Sequence, residues 1–392
     1  MRALSPGLIL PSSGEHSIAI ANTASTNSLR PVDNTSSRIM KGLQILSQEQ
    51  LAKSFEAIAF APEDRLTAAA ANALFNELPV SCAAAVSSFV SSETYYQRAC
   101  SQLSVLGCRR EEHGLSFKRM FFEIAVQDLL QKSTTLSQAV AENIFTLKLS
   151  ACSHDFPLGE VCAQLPNLNR LDVKYDLASS SHVSSLERLP RALNVSSNLV
   201  SLTLQDSFLT DNDVATMFDN GSCTNFTILN LNLAHNNISS TGLGVVVSHF
   251  LAPPTSVLCS LDMMGNKIDS QGGSLLGQAL ATNDSLLSLN LRLNHLGDGG
   301  GSALLDCLAN NVTLRYLNLS ANELASLSAN ALVNMLESND SLSLEAVIIT
   351  SNPFSDEDEE AIKSCDRCFL DVRGGSSPGR QEMFLGKSIM PF

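Results

Sequence analysis

The sequence predicts an α/β solenoid preceded by a small all-α domain. Three observations carry that prediction. A motif of the form L-x-x-L-x-L-x-x-N recurs five times in register in the second half of the chain. Helix-period apolar patterns follow the copies, as in Ser274-Leu-Leu-Gly-Gln-Ala-Leu280. Residues 47–140, by contrast, carry helical patterns without the repeat.

The five copies are Ile228/Leu231/Leu233/Asn236, Leu258/Leu261/Met263/Asn266, Leu286/Leu289/Leu291/Asn294, Leu314/Leu317/Leu319/Asn322 and Leu344/Val347/Ile349/Asn352. Their asparagines are 30, 28, 28 and 30 residues apart, and each is followed two positions on by an apolar residue, Ile238, Ile268, Leu296, Leu324 or Phe354. Weaker copies precede them: Leu199/Leu202/Leu204 with Ser207, Leu168/Leu171/Val173 with Asp176, and Ile144/Leu147/Leu149 with Cys152. About seven repeats are expected over residues 141–372, with an eighth at the weak start. Each L-x-L predicts a short parallel strand with its leucines inward. The ladder asparagines, Asn236, Asn266, Asn294, Asn322 and Asn352, are predicted to turn their amides inward and satisfy backbone groups where the chain leaves the strand. Helices are wider than strands, so this alternation implies a horseshoe with a concave sheet. The repeat length matches leucine-rich repeats of the ribonuclease-inhibitor class.

Ahead of the repeats, residues 1–46 are rich in Ser, Thr, Asn and Pro without an apolar period, which predicts a disordered leader. Ser47-Gln-Glu-Gln50 reads as a capping box opening a helix with Leu51, Phe55, Ile58 and Ala59 on one face. Further helices are predicted from Glu63 to Phe75, Ser81 to Val90, Glu93 to Leu103 and Phe117 to Leu130. The helical domain of residues 47–140 has a modest core of its own and is expected to pack onto the first repeat. Residues 373–392 are read as a flexible tail.

Composition narrows the function. Residues 1–140 hold 12 Lys+Arg and 12 Asp+Glu, whereas residues 141–392 hold 13 and 27, so the second half carries the whole net charge of −14. An acidic surface repels phosphate backbones, which argues against nucleic acid. No apolar run reaches the length that spans a bilayer, and Met1 to Pro11 does not read as a secretory signal. Ten scattered cysteines, among them Cys82, Cys259 and Cys307, fit reduced thiols in the cytoplasm. The sequons at Asn194, Asn237, Asn283 and Asn311 recur because the repeat itself uses Asn and Ser.

The residues that could carry chemistry have structural readings. Gly272-Gly273 and Gly299-Gly-Gly301 lack a following Gly-Lys-Ser/Thr and sit where a repeat turns into its helix. Cys365-Asp-Arg-Cys368 is a lone C-x-x-C on a predicted terminal helix, without a second ligand pair. Asp356-Glu-Asp-Glu-Glu360 follows Ser355 and suits the first turn of a helix. The seven histidines form no triad or paired-ligand spacing. No enzyme, cofactor, metal or small-molecule substrate is predicted. The informative surface is the sheet face. Strand alternation places Asp172, Thr203, Asn232, Asp262, Asn290, Asn318 and Ile348 in its central column. Arg170 to Tyr316 lie on one side and Lys174 to Ser320 on the other. Arg292, Asp262, Asn290 and Tyr316 are the partner-binding candidates there.

In the helical domain, Glu77-Leu-Pro-Val80, Ser92-Glu-Thr-Tyr-Tyr-Gln-Arg-Ala-Cys100 and His113-Gly-Leu-Ser-Phe-Lys-Arg-Met-Phe-Phe-Glu123 resemble one family. So do Leu168-Asn-Arg-Leu-Asp-Val-Lys-Tyr-Asp176 and Ser288-Leu-Asn-Leu-Arg-Leu-Asn294. These stretches are similar to the T-complex-associated testis-expressed leucine-rich-repeat family, subunit 5 of the nexin–dynein regulatory complex, over residues 75–350. That family usually has Trp where Tyr96 and Phe117 stand here, and its C-terminal tail does not match Gly374 to Phe392. The resemblance implies a scaffold in the axoneme of cilia and flagella, linking doublet microtubules and regulating dynein-driven bending. Implied partners are other subunits of that complex, axonemal dynein or the doublet microtubules. It adds Lys118 and Arg119 to the partner-binding candidates.

Two other classes compete. Leu78-Pro79 followed by helices and repeats resembles an F-box adaptor of a ubiquitin ligase, but Val80 to Val90 is rich in Ala and Ser and lacks the bulky pattern of such a docking helix. A Ran-type GTPase activator is also an acidic leucine-rich-repeat chain, but it starts its repeats almost at once and ends in a long acidic tail.

Overall fold

The computed structural model describes residues 93–102, 110–132, 135–152, 156–175, 189–196, 198–218, 227–252, 255–338, 343–365 and 384–385. The predicted leader, the helices expected from Ser47 to Val90 and most of the tail lie outside them. The chain forms two compact units, Met1–Phe145 and Thr146–Phe392.

The described part of the first unit is helical: α1 (Glu93–Gln102), a 3-10 turn (Arg110–His113), α2 (Phe117–Lys132) and α3 (Gln138–Ala141). Glu93, the first residue of α1, closes the start of α2, where it accepts the Phe117 N–H at 2.6 Å and the Ser116 hydroxyl at 2.9 Å. A carboxylate there satisfies unpaired helix donors and complements the dipole. Tyr96, Phe121 and Phe122 then stack at centroid distances of 5.2 to 5.9 Å, with Tyr96 and Phe122 fully buried. Tyr96 thus fills an aromatic core.

In the second unit, strand and helix alternate: β1 (Thr146–Cys152), α4 (Leu158–Ala163), β2 (Arg170–Tyr175), α5 (Leu189–Val195), β3 (Ser201–Thr203), α6 (Asp211–Phe218), β4 (Asn230–Asn232) and α7 (Ser240–Val246). A π-turn, Val247–Leu251, extends α7. The order continues with β5 (Ser260–Asp262), α8 (Ser270–Leu280), β6 (Ser288–Asn290), α9 (Gly297–Leu308), β7 (Tyr316–Asn318), α10 (Ser326–Ser338), β8 (Ala346–Ile348) and α11 (Asp356–Ser364). β1 to β8 form one parallel sheet in chain order, so the weak copy at Ile144/Leu147/Leu149 also supplies a strand. Within the region read as a flexible tail, the backbone of β9 (Phe384–Leu385) pairs antiparallel with β8. The second unit is a leucine-rich-repeat solenoid.

The register is strict. Leu171, Leu202, Leu231, Leu261, Leu289, Leu317 and Val347 stand side by side, and all are at most 1% exposed. Each such side chain stabilises the fold by about 1.5–3 kcal/mol. The ladder asparagines bridge consecutive repeats as predicted. The Asn294 Oδ1 accepts the Ile268 N–H at 3.0 Å, and its Nδ2 donates to the carbonyls of Met263 and Leu291 at 3.0 Å each. Asn236, Asn266, Asn322 and Asn352 make the equivalent bonds. Ser207, in the asparagine place, reproduces half of this, accepting from the Tyr175 N–H and donating to the Val173 carbonyl, both at 3.3 Å.

The glycine pairs serve helix packing. A Cβ on Gly273 would collide with the Gly300 carbonyl oxygen, and one on Gly300 would lie 2.6 Å from the Ser270 Cα, so α8 and α9 approach closely only because both lack side chains. The acidic run is a helix start: the Ser355 hydroxyl accepts the Asp358 N–H, and the Asp358 carboxylate accepts the Ser355 N–H in return. Cys365 caps the end of α11 instead of lying within it, and Cys368 is outside the described residues.

Candidate interaction face

Strand register builds two columns of the face. Arg170, Ser201, Asn230, Ser260, Ser288, Tyr316 and Ala346 are lateral neighbours, as are Asp172, Thr203, Asn232, Asp262, Asn290, Asn318 and Ile348. The sequence-derived columns therefore match the sheet.

The central column does something the sequence reading missed. Asn232, Asp262, Asn290 and Asn318 each fold back to accept the N–H two residues on, from Ala234, Met264, Arg292 and Ser320, at 2.9 to 3.2 Å. Alternate N–H groups of the same segments reach the next repeat instead, as Leu233 does to the Asp262 carbonyl and His235 to the Met264 carbonyl. The side-chain oxygens thus satisfy amides that the three-residue strands leave over, forming a second polar ladder. The signal was present: Asn or Asp occupies the same L-x-L position in four consecutive copies.

This corrects Asn290. It is only 3% exposed and holds the Arg292 amide, so it shapes the face and offers little to a partner. Arg292 is exposed and is the one basic residue in the three columns from β4 to β8. At neighbouring Asp262 burial raises the pKa, while the Met264 N–H, the Asn290 side chain and His235 stabilise the charge. Tyr316 donates to the Glu345 carboxylate at 2.6 Å, and Arg315 reaches the same group at 3.2 Å. That hydrogen bond raises the pKa of the phenol.

Lys118 and Arg119 are also corrected. One Glu123 oxygen lies 2.5 Å from the His113 Nδ1, while the other accepts from the Arg119 Nε and the Phe145 N–H at 2.9 Å each. Arg119 also covers the Phe145 ring at 4.1 Å. It is an inward strut, because an unpaired Glu123, 6% exposed, would be costly. The Lys118 ammonium lies 5.7 Å from the Tyr96 ring centre, and burial lowers its pKa although Glu142 and Glu93 oppose the shift. The distinctive string His113 to Glu123 therefore encodes a buried network.

Among the described residues, no group of three or more His, Cys, Asp or Glu could hold a metal ion, and no helix is long and apolar enough to cross a membrane. The sequons at Asn283 and Asn311 are buried: their oxygens accept the N–H groups of Leu286 and Leu314 at 2.9 and 2.8 Å.

The family model described as "Leucine Rich repeat" matches residues 224–246, 257–277 and 282–305, which span β4 to β6 and the helices after them. Solved structures that match the chain include an internalin (inlF) from Listeria monocytogenes str. 4b F2365, 18% identical over 61% of this chain and 84% of that one, with a TM-score of 0.31. Another is leiomodin-1 actin-binding site 2, 18% identical over 36% of this chain and 79% of that one, with a TM-score of 0.30. No curated protein is significantly similar to the chain.

Proposed function

We propose that this protein is a non-catalytic interaction scaffold and that it serves in the axonemal nexin–dynein regulatory complex. The first part follows from the fold, since leucine-rich-repeat solenoids offer a broad sheet face for holding other proteins. The second rests on the His113-Gly-Leu-Ser-Phe-Lys-Arg-Met-Phe-Phe-Glu123 string. Its His, Arg and Glu meet in one buried network in this chain. In this reading the protein is in the cilium or flagellum, contacts other subunits of the complex, dynein or doublet microtubules, and tunes bending.

Deletion should impair swimming while leaving axonemes assembled, because one interface among many in a large assembly is dispensable for nucleating microtubules. The tagged protein should stay with axonemes after detergent extraction. Normal swimming in the deletion, or full extraction by detergent, would reject the assignment. Arg292→Glu should reduce recovery of axonemal partners at matched stability, since it reverses an exposed cation of the face. Capture of the Skp subunit of a ubiquitin ligase, or stimulation of GTP hydrolysis by Ran, would favour the other classes.

A further inference from the structure

The last parallel strand has a neighbour of a different kind. β1 to β7 each pass the sheet on to the next repeat, whereas β8 is followed by β9, which runs antiparallel and sets Leu385 opposite Val347 and Phe384 opposite Ile348. The Ile348 carbonyl accepts the Leu319 N–H at 2.7 Å, and the Ala346 N–H donates to the Arg315 carbonyl at 3.0 Å, so both residues face β7. Backbone alternation turns the polar groups of Val347, between them, to the outer side. Leu385 therefore meets an edge whose N–H and C=O would otherwise template the addition of another strand.

β9 covers this edge thinly. It is two residues long, against three in each of β3 to β8, and 19 residues separate it from the end of α11. Two residues of pairing offset little of the entropy of closing a loop of that length. A longer strand offering the same backbone groups can take its place.

Charge selects the occupant. Residues 337–372, which carry the edge, hold 10 Asp+Glu and 2 Lys+Arg. Lys363 pairs with Glu359 and Arg315 with Glu345, at 2.7 and 3.2 Å, yet Asp356, Glu357 and Glu360 stay exposed. Residues 373–392 have the opposite sign, with Arg373, Arg380 and Lys387 against Glu382 alone. Arg380 and Lys387 flank Phe384-Leu385, so the segment whose backbone pairs with β8 is basic around an apolar centre. An acidic repeat favours other segments of that chemistry for the same reason.

We propose that the outer edge of β8 is a strand-addition site for an extended basic segment of a partner protein, with β9 as the chain's own competitor for it. This deepens the scaffold reading and rests on it.

The test uses the purified full chain and a fluorescein-labelled peptide with the sequence of residues 378–390. Leu385→Pro in the full chain removes the N–H opposite Val347 and frees the edge. Fluorescence anisotropy should show this variant binding the peptide at least about tenfold more tightly than wild type, whose tethered β9 competes at high effective concentration. Binding should weaken with salt. A peptide carrying Leu385→Pro should not bind, and one carrying Arg380→Glu and Lys387→Glu should bind more weakly. Hydrogen exchange at the Val347 amide should be faster in the Leu385→Pro chain than in wild type and slow again when peptide is added. Should that variant misfold, the chain lacking residues 373–392 opens the same edge and should bind in its place. Equal binding by wild type and the opened chains, no binding by the opened chains, or equal binding of the proline or glutamate peptide overturns the proposal. So does dimerisation of the opened chains in place of peptide binding, which assigns the edge to a second copy. No axonemal component enters this assay, whereas the deletion and extraction experiments require no peptide, so either reading can fail alone.

Discussion

The amide oxygen of Asn294 holds the backbone N–H of Ile268, 26 residues earlier, at 3.0 Å, while its nitrogen binds one carbonyl in each of two repeats. Asn294 is 2% exposed, so water cannot replace these bonds. Asn294→Ala should destabilise the solenoid by about 1–3 kcal/mol or more. A chemical-denaturation midpoint unchanged within error would remove the ladder from the account of stability.

Two glycines in neighbouring helices should respond oppositely to alanine. Gly273→Ala places a methyl against the Gly300 backbone, which cannot rotate away, and should cost about 1–3 kcal/mol. Gly299→Ala meets nothing within 4 Å and should stabilise α9 by about 0.5–1 kcal/mol. Thermal melts of the pair test whether close helix approach explains the glycine-rich stretch.

The residue before each ladder position is left-handed: Asp206, His235, Gly265, Leu293, Ala321 and Ser351 have φ between 52° and 67°. Only one is glycine. Leu293, 43% exposed, therefore carries strain of about 1–2 kcal/mol without a buried side chain in return. Leu293→Gly should raise the midpoint, because the relief exceeds the added chain entropy of about 0.5–1 kcal/mol. A lower midpoint would show that the leucine makes a stabilising contact.

Acid should weaken the helical wall. The Ser240 hydroxyl and backbone amides lower the Asp269 pKa. Backbone amides of Ser328, Leu327 and Ala325 outweigh burial at Asp298, and Ser355 lowers Asp358. Their folded pKa values lie below the unfolded one near 4, so their contribution is full above about pH 4 and is lost as pH falls through the folded values. Asp262 has the opposite sign, since burial raises it and its charge opposes folding at neutral pH. Asp262→Asn, matching Asn232 and Asn290, should raise the midpoint at pH 7 and lose that advantage on acidification. A pH series of melts of wild type and this variant separates the two groups.

The repeat was legible because core and ladder residues recur at fixed spacing, and one buried leucine looks like another at every copy. The partner-binding candidates were less so. Strand alternation located Asn290 on the outer face but could not show that its oxygen is taken by the Arg292 amide, a bond that depends on how the backbone turns after three residues. Arg119 reads as a surface cation until Glu123, four residues on, is seen buried and paired with His113.

The asparagine ladder has a direction. Each amide oxygen serves the repeat before its own: Asn236 closes the turn at Ser207, Asn266 the one at Ile238, and Asn352 the one at Leu324. During synthesis, a repeat leaving the ribosome therefore keeps its turn amides open until about 28 further residues have emerged, and completion travels backward along the nascent chain as each new asparagine arrives. A premature stop leaves the last finished repeat unsealed. Nonsense mutations late in the chain should thus harm the remaining protein more than their position suggests.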